Sequence, residues 1–304
     1  MTERDRERRG IGYGLAAYGL WGVVPLFWPL VARAGSLELL AHRVVWSLVI
    51  SVVLALVVLP RDWLRRYTTR RTMLMLGLAA GFVSVNWGVY IWAVNHAHVV
   101  ETSLGYYINP ILSILVGVVV LGERMATLQW VSVALAGLAV VVLTVDYGRL
   151  PWVSLVLATS FATYGVMKKQ VNGGAVETLT IESALLTPIA LGYLVYLQTQ
   201  GGTTFGTLGW AHSLLLVATG VVTAVPLLFF AAATTRLPLS TLGLLQYLAP
   251  TLQFLLGILY FGEQMSTGRW VGFALVWLAL MIMTADGLRR ASRSRRSRLV
   301  ADPV

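Results

Sequence analysis

The chain alternates between long apolar stretches and short polar segments, and ten such stretches can be traced along it. Each is bounded by charged residues or by clusters of Gly, Pro and Asn. In lipid, segments of this length must satisfy their own backbone hydrogen bonds, and none has the period of two that a barrel strand needs. We therefore predict ten transmembrane helices, at roughly residues 11–31, 37–59, 73–95, 101–121, 128–146, 151–168, 177–198, 211–235, 241–261 and 269–286.

Composition agrees with a chain that lies in a lipid bilayer. Of its 304 residues, 57% are hydrophobic and only 12% are charged, and the mean hydropathy is +0.75. An ordinary soluble domain carries about 25% charged residues. Cysteine is absent, which excludes disulfides, thiolate metal sites and cysteine nucleophiles.

The distribution of basic residues predicts the orientation. If the N-terminus is cytoplasmic, 19 of the 23 Lys and Arg residues fall in segments on the inner side and three fall on the outer side. Short cytoplasmic loops retain positive charge, so we expect both termini to be cytoplasmic. The arginine-rich tail at residues 289–304 is then a topology signal in contact with anionic lipid, and no nucleic-acid partner is expected.

A segment near the middle of the chain is repeated near its end. Residues 107–135 and 247–275 align without a gap, with 13 of 29 positions identical. Weaker matches pair two upstream segments with two in the second half, residues 20–22 with 163–165 and 38–43 with 177–182. We therefore divide the chain into two five-helix units and a tail, at residues 1–147, 148–288 and 289–304.

An odd number of spans in each unit has a geometric consequence. The second unit must enter the membrane from the side opposite to the first, so the two units are inverted repeats. Inverted repeats are the architecture of secondary transporters, in which one half moves against the other around a site near the midplane. The chain contains no phosphate-binding loop of an ATP-driven pump.

Several short motifs along the chain point to one transporter family. They are AHRVVWS (residues 41–47), NW (86–87), IWAVN (91–95), SLGYYINP (103–110), LGER (121–124) and TTRLPLSTLGLLQYLAPT (234–251). The two units resemble EamA units of the drug/metabolite transporter superfamily, and the motifs resemble those of its RarD branch, the chloramphenicol-sensitive-protein permeases. The resemblance covers nearly the whole chain and implies a permease of the bacterial inner membrane. It further implies a central cavity lined by the first four helices of each unit, with the fifth as a scaffold or a homodimer contact.

The repeated prolines, Pro110 and Pro250, fall within the fourth predicted helix of each unit. A proline inside a helix frees a carbonyl and bends the axis, which a membrane tolerates where protein or a water-lined cavity satisfies the backbone. A static kink and a moving hinge both remain open. We expect the polar side chains of these helices to line a substrate pathway, namely Tyr106, Asn109, Gln246, Tyr247 and Gln253.

The repeated acids, Glu123 and Glu263, end their helices on opposite sides of the membrane. The helix dipole disfavours an acid at a C-terminal end, so each needs a partner, either a basic loop residue or the N-terminus of a neighbouring helix. We interpret both as structural contacts.

Arg43 and Glu182 occupy matching positions in the two units and lie inside predicted spans. Ionisable groups there are costly and usually face a cavity or a partner. Inversion places them at different depths, so we expect no direct pair. Either Arg43 attracts an anionic group and Glu182 accepts a proton, or both make local contacts. Further pathway candidates are Trp21, His42, Asn86 and Trp87.

These observations favour a non-enzymatic secondary permease or exporter of small metabolites or drugs that works by alternating access, with proton coupling left open. The alternatives are an intramembrane enzyme and a membrane scaffold without transport. His96 and His98 lack a third ligand in the sequence pattern, so we predict neither a metal site nor a cofactor.

Overall fold

The computed structural model describes residues 3–121, 125–171, 173–237 and 239–301, and within these ranges it contains helices and loops but no strand. Two 3-10 segments, Val24–Leu26 and Trp28–Ala34, follow the first helix, and a third spans Trp63–Tyr67. The α-helices of the described ranges are α1 (Glu3–Val23), α2 (Gly35–Val58), α3 (Arg70–Asn95), α4 (Val99–Leu121), α5 (Thr127–Tyr147), α6 (Trp152–Val171), α7 (Ala175–Thr199), α8 (Trp210–Thr234), α9 (Leu239–Leu245), α10 (Leu248–Leu259) and α11 (Thr267–Ala301).

Eight helical stretches among the described residues are long and apolar enough to cross a membrane. Two of the ten predicted spans, those in α1 and α6, are absent from this set although both segments are helical. Charged residues explain the difference, since α1 begins with an arginine-rich turn and α6 ends with Lys168 and Lys169. The protein is therefore a multi-pass helical membrane protein.

The first predicted span, residues 11–31, was wrong in its second half. The α-helix ends at Val23 and the chain continues in the two 3-10 segments, each of which contains a proline, Pro25 or Pro29. Proline supplies no N–H for an α-helical hydrogen bond, which favours the change. The 3-10 turns bury Trp28 beside the start of α2.

The two repeated prolines have different effects on the backbone. Helix α4 continues through Pro110, whereas the corresponding stretch in the second half is interrupted at Gln246 and Tyr247, between α9 and α10. There the Tyr247 N–H donates to the Leu244 carbonyl, three residues back. Since Pro250 has no N–H, the Gln246 carbonyl lacks its α-helical donor, and the break falls beside it.

Close helix crossings hold the bundle together. Helix α2 packs against α7 and α8, α4 packs against α6 and α10, and α5 packs against α11. At Gly220 of α8, an added Cβ would lie 2.6 Å from the Trp46 backbone of α2. At Gly105 of α4, it would lie 2.8 Å from the Ser154 carbonyl of α6. Both crossings therefore need a residue without a side chain.

Two large apolar clusters join different sets of helices. One joins α4, α5, α10 and α11 around Phe254 and Phe273, whose rings lie 4.7 Å apart. The other joins the Trp28 segment to α3, α6 and α8 around Ile91 and Leu216. The polar residues described next lie beside the second cluster.

Candidate functional site

Arg43 lies on α2 with its side chain buried among aromatic residues. Its Nε donates a hydrogen bond of 2.9 Å to the Thr223 hydroxyl of α8. The guanidinium carbon lies 3.9 Å from the centre of the Trp87 ring and 5.4 Å from that of Trp28. Cation–π contacts of this kind stabilise the positive charge of a desolvated guanidinium.

Two tyrosines and an asparagine complete the surroundings of Arg43. Tyr90 and Tyr106 lie close enough to Arg43 to interact electrostatically, and their rings meet edge to face at 5.7 Å. The Tyr106 hydroxyl donates to Asn86 Oδ1 at 3.3 Å. Asn86 Nδ2 in turn donates to the Leu157 carbonyl of α6 at 2.9 Å, which fixes the amide. We call this group the Arg43 site: Trp28, Arg43, Asn86, Trp87, Tyr90, Tyr106 and Thr223.

The polar groups of the Arg43 site are incompletely paired. In the part of the chain that the structure describes, Arg43 forms no ion pair with a carboxylate. The Trp28 Nε1 and the Tyr90 hydroxyl are buried and have no hydrogen-bond partner among the described residues. Buried polar groups are normally satisfied, so this arrangement suits a ligand that supplies oxygen acceptors.

His42 faces a different set of partners from its neighbour Arg43. Its ring stacks on Phe205 at 5.0 Å, and its Nε2 lies 3.9 Å from Glu38 Oε1. The Glu38 carboxylate accepts hydrogen bonds from the Thr204 N–H at 2.8 Å and from the hydroxyls of Thr203 and Thr204. The loop between α7 and α8 thus closes over this end of α2.

Glu182 lies on α7, also buried, with charged and hydroxyl partners on α6. Lys168 Nζ lies 3.0 Å from Glu182 Oε1, and the Tyr164 hydroxyl donates to Oε2 at 3.2 Å. Lys168 also donates to the Thr178 hydroxyl. Arg43 and Glu182 therefore have separate partners.

The remaining pathway candidates lie on α1, α4, α9 and α10. The Gln253 amide donates to the Trp21 carbonyl at 3.2 Å, and the Trp21 ring lies 5.8 Å from Phe230. The structure therefore brings Trp21 and Gln253 together but not with Arg43. Pro250 is buried beside Gln253, and the side chains that are half-buried elsewhere on these elements are Asn109, Pro110, Gln246 and Tyr247.

Glu263 contacts the N-terminus of a neighbouring helix, one of the two kinds of partner named above. Its carboxylate accepts hydrogen bonds from the backbone N–H of Val99 and, at 3.1 Å, of Val100, at the start of α4. Burial raises the pKa of the Glu263 carboxyl from 4.5 to about 7, while these hydrogen bonds and Arg269 act in the opposite direction. Glu123 lies outside the described residues.

Glu101 is a buried acid that the sequence analysis missed. Its carboxylate lies 2.8 Å from Arg149 Nη2 and accepts a hydrogen bond from the Val153 N–H at the start of α6. An acid in the first turn of a helix is favoured by the dipole, so its position after Val99 was the available signal. Trp28 and Thr223 were also missed, because apolar runs and single hydroxyls carry no sequence signal for a site.

The rings of His96 and His98 both stack on the Trp92 ring, with their centres 4.6 and 5.6 Å from its centre. No group of three or more His, Cys, Asp or Glu residues that could hold a metal occurs among the residues described.

Comparison with known proteins identifies the class to which this bundle belongs. The EamA-like transporter family matches the chain twice, at residues 8–145 and 150–285. A solved crystal structure aligns with 91% of this chain over 97% of its own chain, with a TM-score of 0.59 and 18% sequence identity. This likeness concerns the fold alone. The protein is a membrane transporter.

Individual relatives narrow the class. The chain is 56% identical over 306 residues to Protein RarD of Streptomyces exfoliatus, covering 100% of this chain and 97% of the relative. It is 40% identical to Protein RarD of Escherichia coli strain K12, covering 96% of this chain and all of that protein. An uncharacterized transporter of Vibrio cholerae is 41% identical over 98% of this chain and 99% of its own length. The chain belongs to the EamA-like transporter family, in its RarD branch.

Proposed function

We propose that the protein is a secondary permease that exports or imports small metabolites or drugs across the bacterial inner membrane by alternating access. It acts without an enzymatic step, and both termini face the cytoplasm. Residues 1–147 and 148–288 form its two inverted five-helix units, so that α1 and α6 also cross the membrane. The Arg43 site is part of the substrate pathway.

The composition of the Arg43 site carries this proposal. Arg43, Trp87 and Tyr106 come from α2, α3 and α4, within the first family match, whereas Thr223 comes from α8, within the second. A site shared by two units changes its exposure when one unit moves against the other, which is what alternating access requires.

Helix contacts support the inverted arrangement. In the alignment of the two units, α1, α2 and α3 correspond to α6, α7 and α8, while α4 corresponds to α9 and α10 together and α5 to α11. The contacts then occur in matching pairs: α4 packs on α6 as α10 packs on α1, and α3 packs on α6 as α8 packs on α1. Helices α2, α4 and α5 pack on their own counterparts. This is the pattern that a two-fold axis between the units produces.

Glu182 is the residue that would serve proton coupling. A buried carboxylate paired with Lys168 and Tyr164 can exchange its partners when it gains a proton. Flux into proteoliposomes with and without a pH gradient, for the wild type and Glu182→Gln, distinguishes coupled from uncoupled transport. A gradient effect that persists in the variant removes Glu182 from this role.

Alternating access is tested by labelling single cysteines in a chain that has none of its own. Asn109→Cys and Ala249→Cys place thiols at equivalent positions of α4 and α10. We expect a membrane-impermeant maleimide to reach each thiol from both sides of the membrane, at rates that change when a substrate binds. Membrane vesicles of the two orientations provide the measurement.

The matched control is Leu56→Cys, which places a thiol on the outer surface of α2, where Leu56 is 80% exposed. This thiol faces lipid and should react slowly from both sides, without dependence on substrate. Uniform protection of positions 109 and 249 would contradict alternating access.

A further inference from the structure

We propose that the Arg43 site binds the carboxylate of a small organic acid that also carries a planar apolar group. This substrate class rests on the proposed transport function, which does not itself name a substrate.

The first observation is a buried positive charge without a compensating negative one. Arg43 is 8% exposed, and its Nε is used by the neutral Thr223 hydroxyl. Its terminal nitrogens, Nη1 and Nη2, form no hydrogen bond with the residues that the structure describes. The Glu38 carboxylate on the same helix is occupied by Thr203 and Thr204. A guanidinium stays charged in proteins, and a buried charge is costly unless it is paired, so a bound anion would stabilise this site.

The second observation is a pair of buried donors without acceptors. Within the described ranges of the chain, Trp28 Nε1 and the Tyr90 hydroxyl have no hydrogen-bond partner, and their residues are 0% and 4% exposed. Both side chains border the guanidinium. Indole offers only a donor, and a hydroxyl beside a cation is best used as a donor as well. A carboxylate has acceptor capacity for the guanidinium and for both of these groups, whereas an amine would be repelled and a hydrocarbon would leave all of them unpaired.

The third observation is the shape of the surroundings. The guanidinium carbon lies 3.9 Å from the centre of the Trp87 ring, and Nη1 and Nη2, which form no hydrogen bond with the residues that the structure describes, remain for the anion. Arginine binds carboxylates along such an edge through two parallel hydrogen bonds. The rings of Trp28, Tyr90 and Tyr106 also lie near the guanidinium and favour contact with a planar apolar group.

Binding to the full-length protein in lipid nanodiscs tests the proposal. Benzoate, phenylacetate and indole-3-acetate are each compared with the corresponding neutral amide by thermal shift and tryptophan fluorescence. We expect at least one acid to bind saturably, and its amide to bind on the order of 30-fold more weakly, because the amide loses the charge of the pair.

Three variants identify the residues involved. In Arg43→Gln the preference for the acid over the amide should disappear, whereas Arg33→Gln, which alters an exposed arginine, should retain it. Tyr90→Phe should weaken binding of the acid by about tenfold without lowering the melting temperature of the ligand-free protein, because the hydroxyl has no partner there. A purely structural hydroxyl would lower that temperature and leave binding unchanged.

The outcomes that overturn the proposal are the absence of saturable binding by all three acids, equal binding of acid and amide, and an unchanged preference in Arg43→Gln. If Arg43→Gln fails to fold, Tyr90→Phe decides, and unchanged affinity in that variant overturns the proposal. These failures are distinct from failure of the permease proposal, since labelling at positions 109 and 249 tests alternating access without reference to the anion.

Discussion

Buried charged side chains of this protein have different kinds of partners. Glu101 is paired with Arg149 and Glu182 with Lys168, so each carries its opposite charge within the chain. Arg43 is instead held by a hydroxyl and aromatic rings. Glu101 and Glu182 thus have their charges compensated within the chain. Arg43 has no such partner among the described residues, so its charge remains available to a ligand.

Glu263 provides a prediction at this scale, because its pKa is raised in the folded protein. The carboxyl binds its proton more tightly when folded, with a pKa of about 7 against 4.5. Its contribution to stability is therefore fully present below pH 4.5 and is lost as the pH rises through about 7. We therefore compare the melting temperatures of the wild type and Glu263→Gln. The difference, wild type minus variant, should decrease as the pH rises from 4.5 to about 7.

The comparison between the two proteins isolates Glu263 from its neighbours. Burial lowers the pKa of His98, so that residue acts on stability in the opposite direction over part of the same range. Glu101, Arg149 and Arg269 are present in both the wild type and Glu263→Gln, so their contributions cancel in the difference between the two melting temperatures. Parallel curves of melting temperature against pH would contradict the raised pKa.

At the residue scale, the sequence predicted part of the candidate site. Polar, ionisable and aromatic residues inside apolar runs indicated Arg43, Asn86, Trp87 and Tyr106, and the structure brings these four together. Thr223 could not be predicted, because its role depends on which face α8 turns towards α2. Such a crossing depends on packing between segments distant in sequence.

At the scale of the helices, two copies of one motif have different structures. Pro110 lies inside a continuous helix, and Pro250 follows a break that separates α9 from α10. The prolines predicted a local weakness in both helices, and the surrounding contacts decide whether a break occurs. Helix lengths and most boundaries followed from hydropathy, whereas the 3-10 turns after α1 did not, because their residues are as apolar as a helix.

The α2–α8 crossing gives a prediction at this scale. Gly220 lies one turn before Thr223, and a methyl group there would meet the Trp46 backbone at 2.6 Å. We expect Gly220→Ala to destabilise the protein by about 1–3 kcal/mol, since the backbone cannot yield as a flexible side chain could. Because the added methyl group pushes α8 away from α2, the substitution should also lengthen the Arg43–Thr223 hydrogen bond. Thermal unfolding in detergent measures the first effect.

Gly192→Ala is the matched control. Gly192 lies within α7, and a methyl group there would meet nothing within 4 Å. Its substitution should change stability by less than about 1 kcal/mol, in the stabilising direction set by helix propensity. Equal losses in the two variants would show that the close crossing is unimportant.

At the scale of the whole molecule, the repeat provides the strongest link between sequence and architecture. Identity between residues 107–135 and 247–275 predicted two related units, and the family matches fall on the two halves of the chain. The contacts between helices are paired in the way that a two-fold axis between the units requires. Eight helical stretches of the described residues are apolar enough to cross a membrane, and the crossings of α1 and α6, which carry charged residues, belong to the proposed two-unit arrangement.

The most direct test of the account is the side of the membrane reached by three single cysteines, Glu7→Cys, Leu150→Cys and Leu288→Cys. Residue 7 lies near the start of the first unit and residue 288 at the end of the second, whereas residue 150 lies at the start of the second unit, in the loop between α5 and α6. We expect an impermeant maleimide to label positions 7 and 288 only from the cytoplasm and position 150 only from outside. Labelling of position 150 from the same side as the other two would contradict inversion.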